Sequence, residues 1–424
     1  MNSGTSNNRW HHRRRRAERR FRFYGQCALG LAMLMLVILV GSIVMRGASG
    51  FVQTQLRLAV MFDPTLLGLP PGSDAGDVPI SNYQRLAQAS LKAAFPGVVD
   101  RREGRDLSNL ISLNAGAVLK RALVKEPELL GRTKNLWLPV ASAADLYVKG
   151  GWPAHTPGGY NGLSDRQMEW LRALREKGAI RTAFNRAFFT QGDSRAPEHA
   201  GFLGAMLGSA FTLIVCLLVA FPLGVMTAVY LEEFARKSAL AGLIEVNINN
   251  LAAVPSIVFG LLGLAVYINV MGLPRSSALV GGMTLALMIL PVIIIATRAA
   301  LSSVPASIRD AARALGASPI QVVWHHALPL SLPGIMTGTI LGMARAIGET
   351  APLLMIGMVA FVADTPTGFT SPATVMPVQI YLWASSPEPG FAEKTAAGII
   401  VLLVLLLAMN ALAIFLRKRF EVRW

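Results

Sequence analysis

The sequence predicts an all-α membrane protein with six transmembrane helices and an extracytoplasmic domain, α/β or mainly α, inserted after the first of them. Of the 424 residues, 53% are hydrophobic and only 15% are charged, a composition typical of membrane proteins. One apolar run lies near the N-terminus and five follow residue 200. Between them lie about 155 residues of water-soluble composition, which is a normal size for a domain.

The first 26 residues form a basic segment with eight arginines and one glutamate. Such a segment could bind nucleic acid, but nineteen residues without a charge, 27–45, follow at once and are long enough to span a bilayer. We therefore expect residues 1–26 to be a cytoplasmic tail and 27–45 to be the first transmembrane helix, because arginines beside a span stay cytoplasmic. A cleaved signal peptide is the alternative, since Gly47 to Gly50 resemble a cleavage site. The length and the arginines favour a retained helix.

Residues 46–200 are predicted to form the extracytoplasmic domain. Apolar spacing indicates helices near 82–94, 107–120 and 165–177, a strand near 136–140, and turns at 69–72 and 157–159. This segment holds 20 basic and 14 acidic residues, which could attract an anion or an anionic partner; a solvated surface with no recognition role is an equal alternative. It contains no recognisable catalytic constellation, and its function cannot be derived from its residues.

Five further spans are predicted near 202–230, 243–270, 278–300, 335–362 and 396–416. The connecting loops near 232–237 and 298–326 and the tail 417–424 all hold lysine or arginine residues, whereas the short loops between them carry only Arg275 besides acidic residues. Because basic loops stay on the cytoplasmic side, both termini are expected in the cytoplasm.

The loop 301–333 has the pattern of two short helices joined by a turn. Ile308 to Leu315 can form a helix, and Gly316 supplies the residue that a helix C-terminus favours. Ser318 then offers an N-cap, with Pro319 at the first position of the next helix. The result is a small knob whose turn, with small side chains, another protein could enclose.

Two opposite charges, Arg345 and Glu349, fall inside the predicted fifth span. Charges inside a bilayer cost about 2.5–3.5 kcal/mol each, so they normally face a bundle interior and mark a pathway. At a spacing of four residues they share one face of a helix and can pair. Arg345 offers donors suited to an oxyanion, and Glu349 could orient it or accept a proton; a purely structural ion pair is the alternative.

Weaker candidates for the substrate pathway surround this pair. Arg298 lies at the inner end of the fourth span, where a simple snorkelling role is equally open, and Thr350 adjoins Glu349. Pro255 breaks the third span, and Ser256 can satisfy the freed backbone, so this break is predicted to line a cavity. Glu245 is a further, weaker candidate.

Other classes of site find no support in the sequence. No Gly-x-x-x-x-Gly-Lys-Ser/Thr motif is present, so any ATP hydrolysis belongs to a partner, and the usual metalloprotease and serine hydrolase motifs are also missing. Cys27 and Cys216 both lie in apolar runs, so no disulfide framework or metal site can be built from them. We expect a chain that is not an enzyme and holds no metal or cofactor.

Three sequence blocks resemble one family of permeases. The segments 247–260 (NINNLAAVPSIVFG), 297–312 (TRAALSSVPASIRDAA) and 344–352 (ARAIGETAP) look like the PstA-type permeases of phosphate ABC importers. Residues 301–333 are also similar to the EAA loop of importer-type ABC permeases. Asp310, Ala311, Ala312, Gly316, Leu328 and Pro329 stand at that loop's spacing, although Asp310 replaces a glutamate and His326 an isoleucine. The segment before residue 201 is similar to an extension found in some PstA-type proteins.

The resemblance implies a type I ABC importer permease fold over residues 201–416 and a coupling loop that docks an ATPase. It implies a PstC-like second permease, a PstB-like ATPase dimer that binds ATP and Mg²⁺, a PstS-like periplasmic phosphate-binding protein and a link to PhoU, in a bacterial inner membrane. Nucleic acid is not an expected partner. A permease for phosphonate, sulfate or molybdate and a membrane phosphate sensor stay open as alternatives.

Overall fold

The computed structural model describes residues 4–68, 76–150, 162–236, 238–359 and 361–420 of the chain. The turns predicted at 69–72 and 157–159 lie outside these ranges. Within them the protein is mostly helical, with one three-stranded sheet. Five of the described helices are long and apolar enough to cross a membrane, and a bent pair of helices makes six if it counts as one span.

The first helix, α1, is longer than predicted. It runs without interruption over Gly4–Gly50, so residues 4–26 continue the helix of the predicted span 27–45. We call residues 51–200 the inserted domain. Its described elements are β1 (Val52–Met61), α2 (Pro64–Leu67), α3 (Ile80–Ala94), α4 (Arg101–Ser108), α5 (Ala115–Lys125), a 3₁₀ turn (Pro127–Leu129), β2 (Thr133–Pro139), α6 (Ser142–Val148), α7 (Asp165–Glu176), β3 (Ile180–Phe184) and α8 (Arg186–Thr190).

The sheet of the inserted domain is antiparallel, with β1 between β2 and β3. Alternate residues of β1, namely Leu56, Leu58 and Val60, are buried in a hydrophobic core shared with α3 and α5. This alternation leaves the other face of the sheet free of that core, as in antiparallel sheets covered on one side. The domain is therefore a small sheet with helices packed against one of its faces.

One predicted helix of the inserted domain is wrong. Residues 107–120 do not form a single helix, because α4 ends at Ser108 and α5 begins at Ala115. Between them Ile111 forms a β-bridge with Val140, and the Ser112 hydroxyl accepts a hydrogen bond from the Asn114 amide at 3.1 Å. Serine and asparagine side chains compete for backbone groups in this way, which interrupts the helical pattern.

The rest of the chain forms a bundle of apolar helices. Its described helices are α9 (Leu203–Val229), α10 (Ala239–Ala252), α11 (Ser256–Gly263), α12 (Ala278–Ser302), α13 (Ala306–Ala314), α14 (Pro319–Val322), α15 (Leu328–Gly348), α16 (Ala351–Met355), α17 (Met376–Ala384) and α18 (Gly390–Phe420). Three π-helical stretches extend α9, α11 and α14, at Tyr230–Phe234, Leu264–Val270 and Val323–Ala327. Helix α12 lies at the centre, packed against α9 and α15.

The third span is broken at Pro255, as predicted, whereas the fifth span differs from the continuous run that was predicted. The third is a pair of helices, Ala239–Ala252 and Ser256–Val270, bent by 102° at Pro255. The fifth begins at Leu328 rather than Ile335 and ends at Gly348, well before Val362. It ends there because Pro352 has no N–H to bond the Gly348 carbonyl, and its ring would clash with that carbonyl in a continued helix.

The inserted domain is fixed to the bundle by a buried polar network. Lys149, at the C-terminal cap of α6, donates to Asp145 at 2.7 Å, to Glu393 on α18 at 3.2 Å and to the Ser49 carbonyl of α1 at 3.0 Å. Close helix packing lies beside it, since a Cβ on Gly47 would approach the Ala396 carbonyl on α18 to 2.9 Å. Small residues allow this approach between membrane helices.

Candidate functional site

The loop 301–333 folds as the sequence predicts, into short helices joined by a turn. Helix α13 carries Asp310, Ala311 and Ala312, and Gly316 follows it with a positive φ of 87° that a glycine adopts without strain. Ser318 caps α14 in a capping box with Gln321. Leu328 and Pro329 then begin α15, so the loop leads directly into the fifth span.

The exposed surface of this knob is more apolar than expected. The sequence suggested small side chains on the exposed turn, but Leu315 is 90% exposed, and Ile320 and Trp324 are also exposed. Ala312 is the residue of α13 that is buried. Large exposed apolar side chains grouped on a small knob are typical of a surface that another protein covers.

An ion pair that the sequence did not reveal holds the knob against the second span. Arg309 on α13 donates to Glu233 at 2.7 and 3.1 Å and to the carbonyls of Leu301 and Val304 at 2.7 Å. The Arg309 and Glu233 side chains are only 14% and 6% exposed. The partners are 76 residues apart, so no local pattern connects them.

Arg298 lies in a second ion-pair cluster near the same end of the bundle. Its guanidinium group is 3.4 Å from Glu232 and 3.0 Å from Glu245, which lies on α10. Both carboxylates offset its charge, so Arg298 joins the second, third and fourth spans. No ion pair connects it with Glu349 within the described residues.

Arg345 and Glu349 lie together, but in a different geometry from the one predicted. Helix α15 ends at Gly348, and the backbone of Glu349 is extended with a ψ of 126°, so the two do not share a helical face. Their side chains still approach to 3.5 Å, which is a loose contact. Arg345 is 46% exposed in the single chain and Glu349 is 19% exposed. Among the described residues no other side chain bonds the Arg345 guanidinium group, so most of its N–H donors are free.

The depth of this pair in the bundle follows from its neighbours. A Cβ on Gly342, one turn before Arg345, would lie 3.6 Å from Ile289, which is halfway along α12. Arg345 is therefore close to the middle of the apolar helices. Thr350, in the break itself, accepts hydrogen bonds through its carbonyl from Leu353 and Leu354.

The breaks of the third and fifth spans meet. Pro255 and Ser256 begin α11, and a Cβ on Gly260 of that helix would lie 2.7 Å from the Cα of Pro352 and 2.8 Å from its carbonyl oxygen. The two short helices α11 and α16 are thus in backbone contact. Irregular backbone at membrane depth is tolerated where it is buried in protein or lines a water-filled cavity. The pair Arg345 and Glu349 adjoins this contact.

Comparison with known proteins identifies the family. Residues 220–423 match the family described as binding-protein-dependent transport system inner membrane component, and residues 8–158 match a domain of unknown function (DUF3333). The chain is 33% identical over 233 residues to the phosphate transport system permease protein PstA of Haemophilus influenzae, an alignment covering 55% of this chain and 80% of the relative. The chain belongs to the PstA family.

Other PstA-family proteins give similar values. The chain is 34% identical over 221 residues to PstA of Yersinia pestis, covering 52% of this chain and 74% of the relative. It is 35% identical over 235 residues to PstA 2 of Mycobacterium tuberculosis, covering 53% and 74%. Among solved structures, an inward-facing MetNI methionine ABC transporter is 18% identical over 52% of this chain and 95% of that one, with a TM-score of 0.41. As a PstA-family permease, the chain is an integral membrane protein.

Proposed function

We propose that this chain is the transmembrane permease subunit of an ATP-driven importer of inorganic phosphate. The observation that carries the proposal is the identity of 33–35% to proteins named as phosphate transport permeases, over about three quarters or more of their length. The loose pair of Arg345 and Glu349 beside two broken helices supports it, because a guanidinium group with free donors suits a phosphate oxyanion.

The mechanism that we infer is alternating access driven from the knob. Helix α15 is continuous from Leu328, beside the knob, to Gly348, beside the helix break. A displacement at the knob would therefore move the end of α15 that carries Arg345. Arg309 and Glu233 would keep the knob and the second span moving together. Glu349 would orient Arg345 or accept a proton from the passing anion.

The assembly that we propose follows from the family. A PstC-like permease completes the pathway, a PstB-like ATPase dimer binds ATP and Mg²⁺ and docks on the knob, and a PstS-like periplasmic protein delivers phosphate, with PhoU as a regulatory partner. This chain itself catalyses no reaction and holds no cofactor. The protein lies in the inner membrane of a bacterial cell, with both termini in the cytoplasm and the inserted domain outside. This orientation agrees with the lysine and arginine residues of the inner loops and the C-terminal tail.

Uptake of radiolabelled phosphate tests the substrate. Cells that produce this chain with its partner subunits should take up the label, and unlabelled phosphate should compete while sulfate, molybdate and phosphonate do not. Competition by sulfate rather than by phosphate would overturn the assignment. If the chain does not copurify with an ATPase, the result would instead favour the alternative function, a membrane phosphate sensor.

Substitution of Arg345 tests the pathway. Arg345→Gln should lower uptake by roughly tenfold to a hundredfold, since hydrogen bonds to charged groups contribute about 1.5–3 kcal/mol, while the complex still assembles. Arg275→Gln, at an exposed arginine in a loop, is the matched control and should leave uptake unchanged. Normal uptake by the Arg345 variant would refute its role in the pathway.

Docking on the knob is tested by adding a charge to its apolar surface. Leu315→Asp should abolish copurification with the ATPase, because a carboxylate buried in the contact would lose its hydration without a partner. Leu113→Asp, at an exposed leucine of the inserted domain, is the control. Equal recovery of the ATPase with both variants would show that the knob is not the docking surface.

A further inference from the structure

The inserted domain contains a cavity of about 520 Å³ that the transport mechanism does not use. It lies over the face of the sheet opposite the hydrophobic core. Helix α5 and helix α8 complete its walls. Its lining residues are Gln53, Gln55, Asn114, Val118, Arg121 and Trp137, followed by Pro139, Arg181, Ala183, Phe184, Arg186, Ala187, Thr190 and Gln191. The volume is within the range of about 300–1,000 Å³ that is usual for small-molecule sites.

Strand register explains why these side chains converge. Gln55 in the central strand is directly opposite Pro139 on β2 and Arg181 on β3, and Gln53 is opposite Ala183. Residues directly opposite each other in a sheet project from the same face. Polar, cationic and aromatic side chains from three strands therefore meet on the face that the core leaves free.

The charged residues that line the cavity are all basic. Arg121, Arg181 and Arg186 line it, and none of the lining residues is acidic. Within the described residues no carboxylate forms an ion pair with any of these three guanidinium groups, unlike Arg166 and Arg309, which do have such partners. Three uncompensated cations around one cavity make it attractive to an anion.

Arg181 is held in position by neutral side chains. Gln55 Oε1 accepts hydrogen bonds from Nε and Nη2 of Arg181 at 3.1 and 2.9 Å. The guanidinium carbon lies 4.1 Å from the ring centroid of Trp137, so the group also stacks on the indole. A neutral amide fixes the guanidinium plane, and the remaining N–H donors stay available. Preorganised donors of this kind bind oxyanions with little loss of side-chain entropy.

The other residues that line the cavity indicate which groups the ligand has besides its anionic group. Trp137 and the exposed Phe184 supply apolar surface, and Asn114, Thr190 and Gln191 supply neutral donors and acceptors. An inorganic phosphate ion would leave most of the cavity empty and would not contact the rings of Trp137 and Phe184. We propose that this cavity binds an organic phosphate, that is, a phosphate group carried on a larger and partly apolar body.

The position of the cavity allows an organic phosphate to reach it either from solution or from the membrane. Phe184 stacks on Phe189 at a centroid distance of 5.9 Å, and Phe189 stacks on Phe51, which directly follows α1. One wall of the cavity is thus close to the end of a membrane helix, where lipid headgroups lie. A soluble phosphate ester and an anionic phospholipid headgroup share the required chemistry. The inference does not depend on the proposed transport of phosphate.

Native mass spectrometry of the full-length protein in detergent tests the site. The three probes are phenyl phosphate, dioleoylphosphatidylglycerol and inorganic phosphate, and each is titrated into the wild type, Arg181→Gln and Gln55→Leu. We expect one of the two organic phosphates to bind at one equivalent and Arg181→Gln to weaken it about tenfold to a hundredfold. Gln55→Leu should weaken it less, because the charge stays and only its positioning is lost.

Arg102→Gln provides the control, since Arg102 is exposed on α4 and does not line the cavity. Circular dichroism checks that every variant is folded. Arg181-dependent binding of phenyl phosphate identifies a soluble ligand, and Arg181-dependent binding of the lipid alone identifies a headgroup site. Binding of inorganic phosphate as tightly as the esters would overturn the organic-phosphate assignment. If no probe binding responds to Arg181→Gln, or if Arg102→Gln has the same effect, the site itself is refuted.

Discussion

At the scale of single residues, Lys149 connects three parts of the molecule. Its ammonium group contacts Asp145 of its own helix, Glu393 of the last span and the Ser49 carbonyl at the end of the first helix. Asp145 in turn accepts a hydrogen bond from the Thr54 amide of β1 at 2.7 Å. The lysine and both carboxylates are largely buried, so these charges depend on one another for compensation.

Removing Lys149 should therefore destabilise the protein strongly. Lys149→Met removes the ammonium group that contacts both Asp145 and Glu393, and loss of one partner of a buried pair costs about 3–5 kcal/mol. The charge of Lys394 still acts on both carboxylates, but within the described residues it forms no ion pair with either. Lys134→Met is the control, because Lys134 pairs with Glu126 in a half-exposed position and should change stability by less than about 1 kcal/mol. Unfolding in detergent, followed by tryptophan fluorescence, measures both. Equal stability of the two variants would contradict the network.

His199 should make stability depend on pH. Burial lowers the pKa of His199 to about 4, and the charge of Lys394 acts in the same direction. Between about 4 and the ordinary value of 6.5, the unfolded chain binds a proton that the folded chain does not. Stability from this residue is therefore fully present above pH 6.5 and falls as the pH drops toward 4.

The thermal unfolding midpoint, measured from pH 7 to 4.5, tests this expectation. His199→Gln should lose less stability over that range than the wild type, while its amide can still bond Ser112, which lies 3.1 Å from the imidazole. Burial raises the pKa of the neighbouring Glu198, and this contributes the opposite slope in both proteins, so the difference between them isolates His199. Identical pH profiles would refute the role of His199.

Some ion pairs of the structure could be predicted from the spacing of residues in the sequence, and others could not. Arg345 and Glu349 are four residues apart, so a sequence pattern can bring them together, and the structure does place them at 3.5 Å. Arg309 and Glu233 are 76 residues apart, and their pairing depends on how the loop folds back on the second span. Long-range ion pairs follow from tertiary packing, which a local pattern does not contain.

At the scale of secondary-structure elements, the broken helices are the most informative part of the fold. The break at Pro255 was predicted because proline removes a backbone donor. The end of the fifth span at Gly348 was not, although Pro352 acts on it in the same way. Strands β1 and β3 were also missed, although the alternation of Leu56, Leu58 and Val60 in β1 is a strand signal that the sequence contains. Neighbouring residues in the sequence predict where a helix forms or breaks, whereas the contact between α11 and α16 depends on tertiary packing.

The backbone contact between α11 and α16 predicts that one methyl group added at Gly260 strongly lowers phosphate uptake. Gly260→Ala would bring a Cβ to 2.7 Å from the Pro352 backbone, so α11 and α16 must separate. Overpacking of this kind costs about 1–3 kcal/mol. We expect phosphate uptake to fall about tenfold while the protein still inserts. Gly30→Ala on α1 is the control, because a Cβ there meets nothing within 4 Å. Wild-type uptake in the Gly260 variant would show that the contact can relax.

At the scale of the whole molecule, one side of the bundle is unsuited to lipid. Helix α10 has no buried residue, and it exposes the amides of Asn249 and Asn250. Within the described part of the chain these two side chains make no hydrogen bond, whereas Asn247 bonds the Leu243 carbonyl at 2.8 Å. Unsatisfied amides in hydrocarbon are costly, so this face is expected to contact a protein or a water-filled path.

Helix α1 differs, since its exposed surface is apolar over much of its length. We therefore expect a photoreactive amino acid at Asn250 to crosslink to a second membrane subunit when the chain is produced with its partners. The same group at Leu36, exposed on α1, should give no protein adduct, because that surface suits lipid. Immunoblots of the irradiated membranes measure both products. Protein adducts at Leu36 but not at Asn250 would mean that the assembly uses the opposite side of the bundle, and that the exposed amides of α10 are covered by water rather than by a partner.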